Sequence, residues 1–169
     1  MRRDLLVLLP FLGAVVVFAG VALWRPASPS VPEVALDVGA GPGAGDRVRL
    51  GDLVGEVVLL DFWASWCRPC YRGVPVLNDL ADVPGLRIYG VNVEALAPEA
   101  LREAHGTLGA RFPTLDDRDG ALQAAFGVQN LPTMVALDRT GAVAFVEVGV
   151  PDPESLRRRL VELGVSPRL

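Results

Sequence analysis

The sequence predicts an α/β domain that follows an N-terminal membrane helix. Residues 57–63 form an apolar run broken only by Asp61, which is typical of a strand that is covered on both faces of a sheet, and residues 86–92 are predicted to form another buried strand. Segments with apolar residues at helical spacing follow each run. An uncharged apolar stretch, 5–24, stands before all of these elements. The alternation indicates a single domain of strands and helices, in keeping with a length of 169 residues.

The apolar stretch at 5–24 has the length and flanks of a membrane anchor. Its twenty residues carry no charge and contain one helix breaker, Pro10. At a rise of 1.5 Å per residue, a helix of this length spans the hydrocarbon core of a bilayer, which is about 30 Å thick. Arg2 and Arg3 precede it, so the positive-inside rule keeps the N-terminus in the cytoplasm. Residues 1–25 are therefore predicted to anchor a single-pass protein, with its domain on the periplasmic or extracytoplasmic side of the cell membrane.

A cleaved signal peptide is the alternative interpretation of this segment. Gly20 and Ala22 are small and have the spacing of a cleavage site, although the apolar run continues past them. Both interpretations export the domain to a compartment where disulfides persist. Residues 26–33 are rich in proline and serine and are predicted to form a linker, with the folded domain at 34–169.

The remaining elements follow in chain order. A short strand at 34–38, a glycine-rich turn at 39–45 and a return strand at 47–50 form an N-terminal hairpin. After the run at 57–63, the pattern predicts a helix opening at the cysteines, a strand at 86–92, a helix from Pro98, a short helix at 120–126, strands at 134–137 and 142–148, and a last helix from 152 to Gly164. Residues 138–141 form a good hairpin turn between the last two strands.

Charge and ligand content exclude several function classes. The net charge is −4, and no stretch after the N-terminal segment forms a basic surface, which argues against a nucleic-acid partner. The chain has two cysteines and one histidine, fewer than the usual four ligands of a zinc site. The histidine, His105, falls on the apolar side of its helix and is expected to pack there. We therefore predict no metal and no cofactor beyond a redox-active disulfide.

The two cysteines lie in Trp66-Cys67-Arg68-Pro69-Cys70, just after a buried strand and at the start of a helix. The N–H groups and the dipole at a helix N-terminus favour a thiolate, and Arg68 adds a positive charge. Cys67 is then the attacking thiolate. Cys70 lies one helical turn further on, where it can resolve a mixed disulfide. Pro69 fixes the turn between them.

The segment 59–70, LLDFWASWCRPC, resembles the active-site segment of thioredoxin. Together with the predicted anchor, the segments 50–56 and 90–92 resemble the TlpA/ResA/DsbE-like branch of exported thioredoxin-fold proteins, and the match covers about residues 31–165. The resemblance implies a central mixed β-sheet flanked by helices. It also implies a protein-disulfide reductase that acts on partner proteins with disulfides or thiols, such as apocytochrome c in cytochrome c biogenesis. A membrane thiol transporter would supply the electrons.

Asp61 and residues 131–133 complete the predicted site. Asp61 interrupts an apolar strand, so desolvation should raise its pKa and let it accept the proton of Cys70. The resemblance places Leu131-Pro132-Thr133 at the cis-proline loop, whose free backbone groups would pair with an extended substrate. Trp66, Arg68 and Pro69 complete the predicted substrate-binding set. A solvated strand-end aspartate and a simple strand-initiating proline are the alternatives.

The chain departs from the branch at two positions. Relatives commonly carry an acid three residues after the second cysteine, where this chain has Gly73, and they often have asparagine at the position of Asp61. The acid–base work would then lie on the strand, as in ordinary thioredoxins. Glu94 is a further candidate for that work, with a solvated loop acid as the alternative.

Rival functions share this fold. A disulfide oxidase or isomerase of the cell envelope would use the same nucleophile, and the reduction potential separates the two: about −270 mV favours reduction and about −120 mV favours oxidation. A non-catalytic metallochaperone or assembly factor would keep its function without Cys67. A purely structural disulfide gains little from closing a two-residue loop.

Overall fold

The computed structural model describes residues 32–167. The predicted anchor and most of the predicted linker lie outside this part, and within it no helix is long and apolar enough to cross a membrane. The strands are β1 Ala35–Ala40, β2 Arg47–Arg49, β3 Val57–Trp63, β4 Leu86–Asn92, β5 Thr114–Asp116, β6 Thr133–Leu137 and β7 Val143–Val148. The α-helices are α1 Arg68–Asn78, α2 Pro98–Leu108, α3 Ala121–Ala125 and α4 Pro153–Glu162, and a short 3₁₀-helix, Leu50–Leu53, follows β2.

The strands of the described part form one seven-stranded mixed sheet in the order β2-β1-β5-β4-β3-β6-β7. Strand β3 pairs in parallel with β4 and antiparallel with β6. Strands β1 and β2 form the predicted N-terminal hairpin. The central mixed sheet flanked by helices and the hairpin extension are therefore confirmed.

Burial of β3 places one core on each side of the sheet. All seven of its residues are buried. Val58, Leu60 and Phe62 point to a core shared with the N-terminal hairpin and α3. Val57 and Leu59 point to the opposite core, which α1 and α4 cover. A continuous apolar run was the sequence signature of this two-sided burial.

The first strand of the N-terminal hairpin starts one residue later than predicted, and its turn also begins later. Strand β1 runs to Ala40, so Gly39 lies within the strand and outside the turn. A Cβ on Gly39 would lie 2.4 Å from Leu101 Cδ2, so the absence of a side chain at Gly39 lets Leu101 of α2 pack close to β1. The turn begins at Gly41, where φ is +85°.

Strand β5 was not predicted from the sequence. It has three residues, too few to show an alternating pattern. It pairs in parallel with β4 and antiparallel with β1. This short strand therefore attaches the N-terminal hairpin to the central sheet.

Asp117 holds the segment that leads from β5 into α3. Its buried carboxylate accepts hydrogen bonds from the backbone N–H groups of Leu122 (2.9 Å) and Gln123 (2.8 Å). Because α3 has only five residues, these two bonds fix much of its N-terminus.

Replacing Asp117 with alanine should therefore lower the free energy of unfolding by about 1–3 kcal/mol, since a buried and a part-buried N–H group lose their acceptor. Urea unfolding measures the change. Asp119→Ala is the matched control, because Asp119 is exposed and its single bond to Ala121 N is longer, at 3.2 Å. Equal losses in the two variants would contradict this role for Asp117.

Candidate active site

The structure places the two cysteines at the start of α1, directly after the central strand. Cys67 is the N-cap residue, and Arg68 is the first helical residue. The backbone N–H of Cys70 donates to Cys67 O (3.0 Å), which closes the first turn. The two sulfurs are joined in a disulfide, and the cysteines are only 3% and 1% exposed. The predicted position of the pair at a helix N-terminus is thus confirmed.

No capping or first-turn side chain of α1 offsets the positive end of the helix dipole at Cys67. No side chain caps α1, and its first turn contains no acidic residue. Arg68 and Pro69 are exposed beside the disulfide, and the indole of Trp66 is 69% exposed. An apolar ring and a guanidinium group are therefore exposed beside the buried disulfide.

Three hydrogen bonds hold the loop before Cys67 at Ser65. The carboxylate of Glu94 accepts from the backbone N–H and from the hydroxyl of Ser65. The hydroxyl of Tyr71 on α1 donates to Ser65 O (2.9 Å). Glu94 is itself fixed, because its backbone N–H donates to Asn92 Oδ1 (3.1 Å). This carboxylate therefore positions the cysteine loop, and it is not a solvated loop acid.

Ser65 and Tyr71 were not identified from the sequence. Each is a polar residue beside the cysteines with no spacing or charge pattern that marks it. Only the placement of β4 beside β3 brings Glu94 to the loop, where the backbone of Val93 also donates to Trp63 O (3.2 Å). The Glu94 interaction depends on that tertiary contact.

Asp61 lies inside the sheet, as the sequence predicted. It pairs with Gly90 on β4 and with Met134 on β6, neither of which carries a charge. Its side chain is 4% exposed, and burial raises the pKa of its carboxyl from 3.8 to about 7. No charge or hydrogen bond from the described residues offsets this effect. Asp61 can therefore gain and lose a proton near neutral pH.

Gly73 stands at the position where the resemblance implied an acid. It is buried on α1, and a Cβ there would lie 3.2 Å from Pro151 Cδ. A side chain at this position would therefore make a tight contact with the segment before α4. Asp61 on the central strand β3 is a buried carboxyl group.

The predicted cis-proline loop is present. The Leu131–Pro132 peptide bond is cis, and Leu131 packs against the cluster that contains both cysteines. Gly149 N donates to Pro132 O (2.8 Å), which ties the loop to the segment after β7. Thr133 is buried, and its hydroxyl donates to Asn130 O (2.7 Å). Thr133 therefore supports the loop from within, and its hydroxyl is not presented to a partner.

His105 packs as the sequence predicted. It is buried on α2, and its Nδ1 lies 3.0 Å from Thr114 Oγ1 on β5. Burial lowers the pKa of its imidazole, so the ring is neutral near pH 7.

A disulfide at a helix N-terminus, after the central strand of such a sheet, defines a thioredoxin-fold redox protein. The Redoxin family matches residues 27–160, and the chain belongs to this family. It is 35% identical over 121 residues to the thiol-disulfide oxidoreductase ResA of Geobacillus kaustophilus, covering 69% of this chain and 68% of the relative. The thioredoxin-like protein YneN of Bacillus subtilis is 30% identical, covering 69% and 71%.

Solved structures of thiol–disulfide exchange proteins also resemble this chain. A Chlorobium tepidum structure described as a DsbE thiol:disulfide interchange protein superposes with a TM-score of 0.68 and 32% identity, covering 79% of this chain and 94% of the other. The protein is therefore a thiol–disulfide oxidoreductase of the ResA/DsbE type, whose substrates are disulfides or thiols.

The raised pKa of Asp61 makes stability depend on pH. The folded protein binds the Asp61 proton more tightly than the unfolded chain, so the stability from this group is complete below pH 4. It is lost as the pH rises toward about 7.

Asp61→Asn should consequently be more stable than the unaltered protein at pH 8, by roughly 2–4 kcal/mol, and similar to it at pH 4. Denaturant unfolding at both pH values measures this. A variant that is less stable at pH 8 would show that the carboxylate is well solvated or paired.

Proposed function

We propose that this protein is an exported, membrane-anchored reductase of disulfides in partner proteins. The observation that carries the proposal is the position of Cys67 at the N-cap of α1, with no acid in the first turn and Arg68 beside it. Such a position stabilises a thiolate, which is the attacking species in disulfide exchange.

The reaction begins when the Cys67 thiolate attacks a sulfur of the partner disulfide. The bond between Cys67 and that sulfur forms, and the second partner sulfur leaves as a thiolate that takes a proton from water. Cys70 then loses its proton to the carboxylate of Asp61 and attacks the sulfur of Cys67. The Cys67–Cys70 disulfide forms, and the partner is released with both sulfurs reduced.

The partner is recognised mainly through its backbone and apolar side chains. Trp66, Arg68 and Pro69 are exposed next to the cysteines in the chain, and Leu131 of the cis-proline loop packs against the cluster that contains both cysteines. An extended segment of the partner pairs with the loop as an added strand. The substrate is thus a flexible stretch of protein that contains a disulfide.

The N-terminal segment supports the proposed compartment, and the family resemblance supports the proposed redox partners. The uncharged run at 5–24 and the preceding arginines support a signal-anchor that leaves the domain in the periplasm or its equivalent. A membrane thiol transporter returns the Cys67–Cys70 pair to the dithiol. By resemblance to the ResA/DsbE branch, apocytochrome c is the proposed substrate.

A trapping experiment tests this function. The full chain with Cys70→Ser should accumulate a mixed disulfide through Cys67, because the resolving thiol is missing. Non-reducing electrophoresis and mass spectrometry of cell-envelope extracts identify the trapped protein.

The matched control is Cys67→Ser, which should trap nothing. Mixed disulfides that form equally well through Cys70 in that control would reverse the assigned roles. A measured reduction potential near −120 mV, rather than near −270 mV, would replace the reductase with an oxidase.

A further inference from the structure

The two edge strands of the sheet differ in how they are protected. At one edge, β2 has only three residues, and the exposed Arg47 and Arg49 flank Val48. Short length and positive charge both discourage pairing with another strand. At the other edge, β7 has six residues, of which only Glu147 is charged. Among residues 32–167, no strand pairs with the outer side of β7.

The two faces of β7 have different surroundings. Phe145 and Glu147 face α4, because the guanidinium of Arg159 lies 4.8 Å from the ring centre of Phe145 and its Nη1 lies 3.9 Å from Glu147 Oε2. Alternate residues of a strand point to opposite faces of the sheet. Val146 and Val148 therefore lie on the other face, where they are 50% and 65% exposed. They form an apolar strip beside an unpaired sheet edge.

The pairing of β7 with β6 shows which backbone groups point outward. Gly149 N donates to Pro132 O at one end of this pairing, and the register is regular from Val148 back to Phe145. Backbone groups alternate in direction along an antiparallel strand, so the residues two and four positions before Gly149 also point to β6. The N–H and C=O groups of Val146 and Val148 point away from β6 and are available to a further strand.

We propose that β7 pairs antiparallel with β7 of a second copy of this chain, about a two-fold axis at Val146. A strand edge is complementary to itself in this arrangement, so each copy satisfies the outward N–H and C=O groups of the other. Val146 lies opposite Val146 of the second copy, and Val148 lies opposite Ala144. The two apolar strips then form one continuous surface between the copies.

Charge favours both this register and a second copy as the partner. With the axis at Val146, Glu147 of each copy lies opposite Phe145 of the other, whose ring carries Arg159. Glu147 Oε2 has no hydrogen-bond partner among residues 32–167, and the pairing brings a second guanidinium toward it. An axis one residue further on, at Glu147, would place two carboxylates directly opposite each other, which destabilises a strand pair.

Disulfide trapping tests the register. In the full chain with Cys67→Ser and Cys70→Ser, Val146→Cys places two new thiols at the two-fold axis. Opposite residues of an antiparallel pair have Cα atoms about 4.5–5.5 Å apart, within the range of about 4.4–6.8 Å that a disulfide spans. Oxidation of this purified chain by copper phenanthroline should yield a covalent dimer on non-reducing electrophoresis.

Val148→Cys in the same background is the matched control. Val148 is more exposed than Val146, so random collision would cross-link it at least as well. In the proposed register the two copies of residue 148 are four residues apart along the strands, or about 14 Å. Val148→Cys should therefore give at least about fivefold less dimer. Equal cross-linking of the two variants, or none with Val146→Cys, would overturn the proposal.

A second measurement uses the full chain with its own cysteines. In mild detergent, light scattering should give the protein mass of two chains for the unaltered protein. Val146→Lys should reduce this mass to that of one chain, because two ammonium groups would meet at the axis. Val161→Lys, at an exposed valine of α4, should leave it unchanged. A dimer that survives Val146→Lys would overturn the proposal. A monomeric unaltered chain would also overturn it and leave this edge to a partner of different sequence.

Discussion

Burial of β3 on both faces is the constraint on which the rest of the structure depends. Both edges of the strand are paired and all seven of its residues are buried. This packing fixes the position and the direction of its C-terminal end. The following loop therefore delivers Cys67 to the N-cap of α1. The same burial raises the pKa of Asp61 to about 7, so one strand positions the cysteine loop and carries a carboxyl group that can titrate near neutral pH.

The sequence predicted the parts of the site that local patterns encode. The apolar runs gave β3 and β4 with the bounds seen in the structure, and the helix after the cysteines begins at Arg68. Asp61 was identifiable because a charged residue inside a buried run must be desolvated. The cis state at Pro132 required the family resemblance, since proline alone rarely indicates it.

The rest depends on contacts between segments that are distant in sequence. Strand β5 is too short to show a pattern. Gly39 has the sequence surroundings of a turn, but it lies within β1, where Leu101 packs against it. The contact of Glu94 with Ser65 joins residues 29 positions apart. These features refine the site, whereas the local patterns locate it.

We propose that the N-terminus of α1 keeps the sulfur of Cys67 ionised beside a second sulfur that completes the exchange. The most direct measurement is the rate of alkylation of each cysteine in the reduced full chain by iodoacetamide across pH, followed by mass spectrometry. We expect Cys67 to react first and to be close to its maximal rate already at neutral pH. A Cys67 that stays unreactive until well above neutral pH, or that reacts after Cys70, would contradict this account.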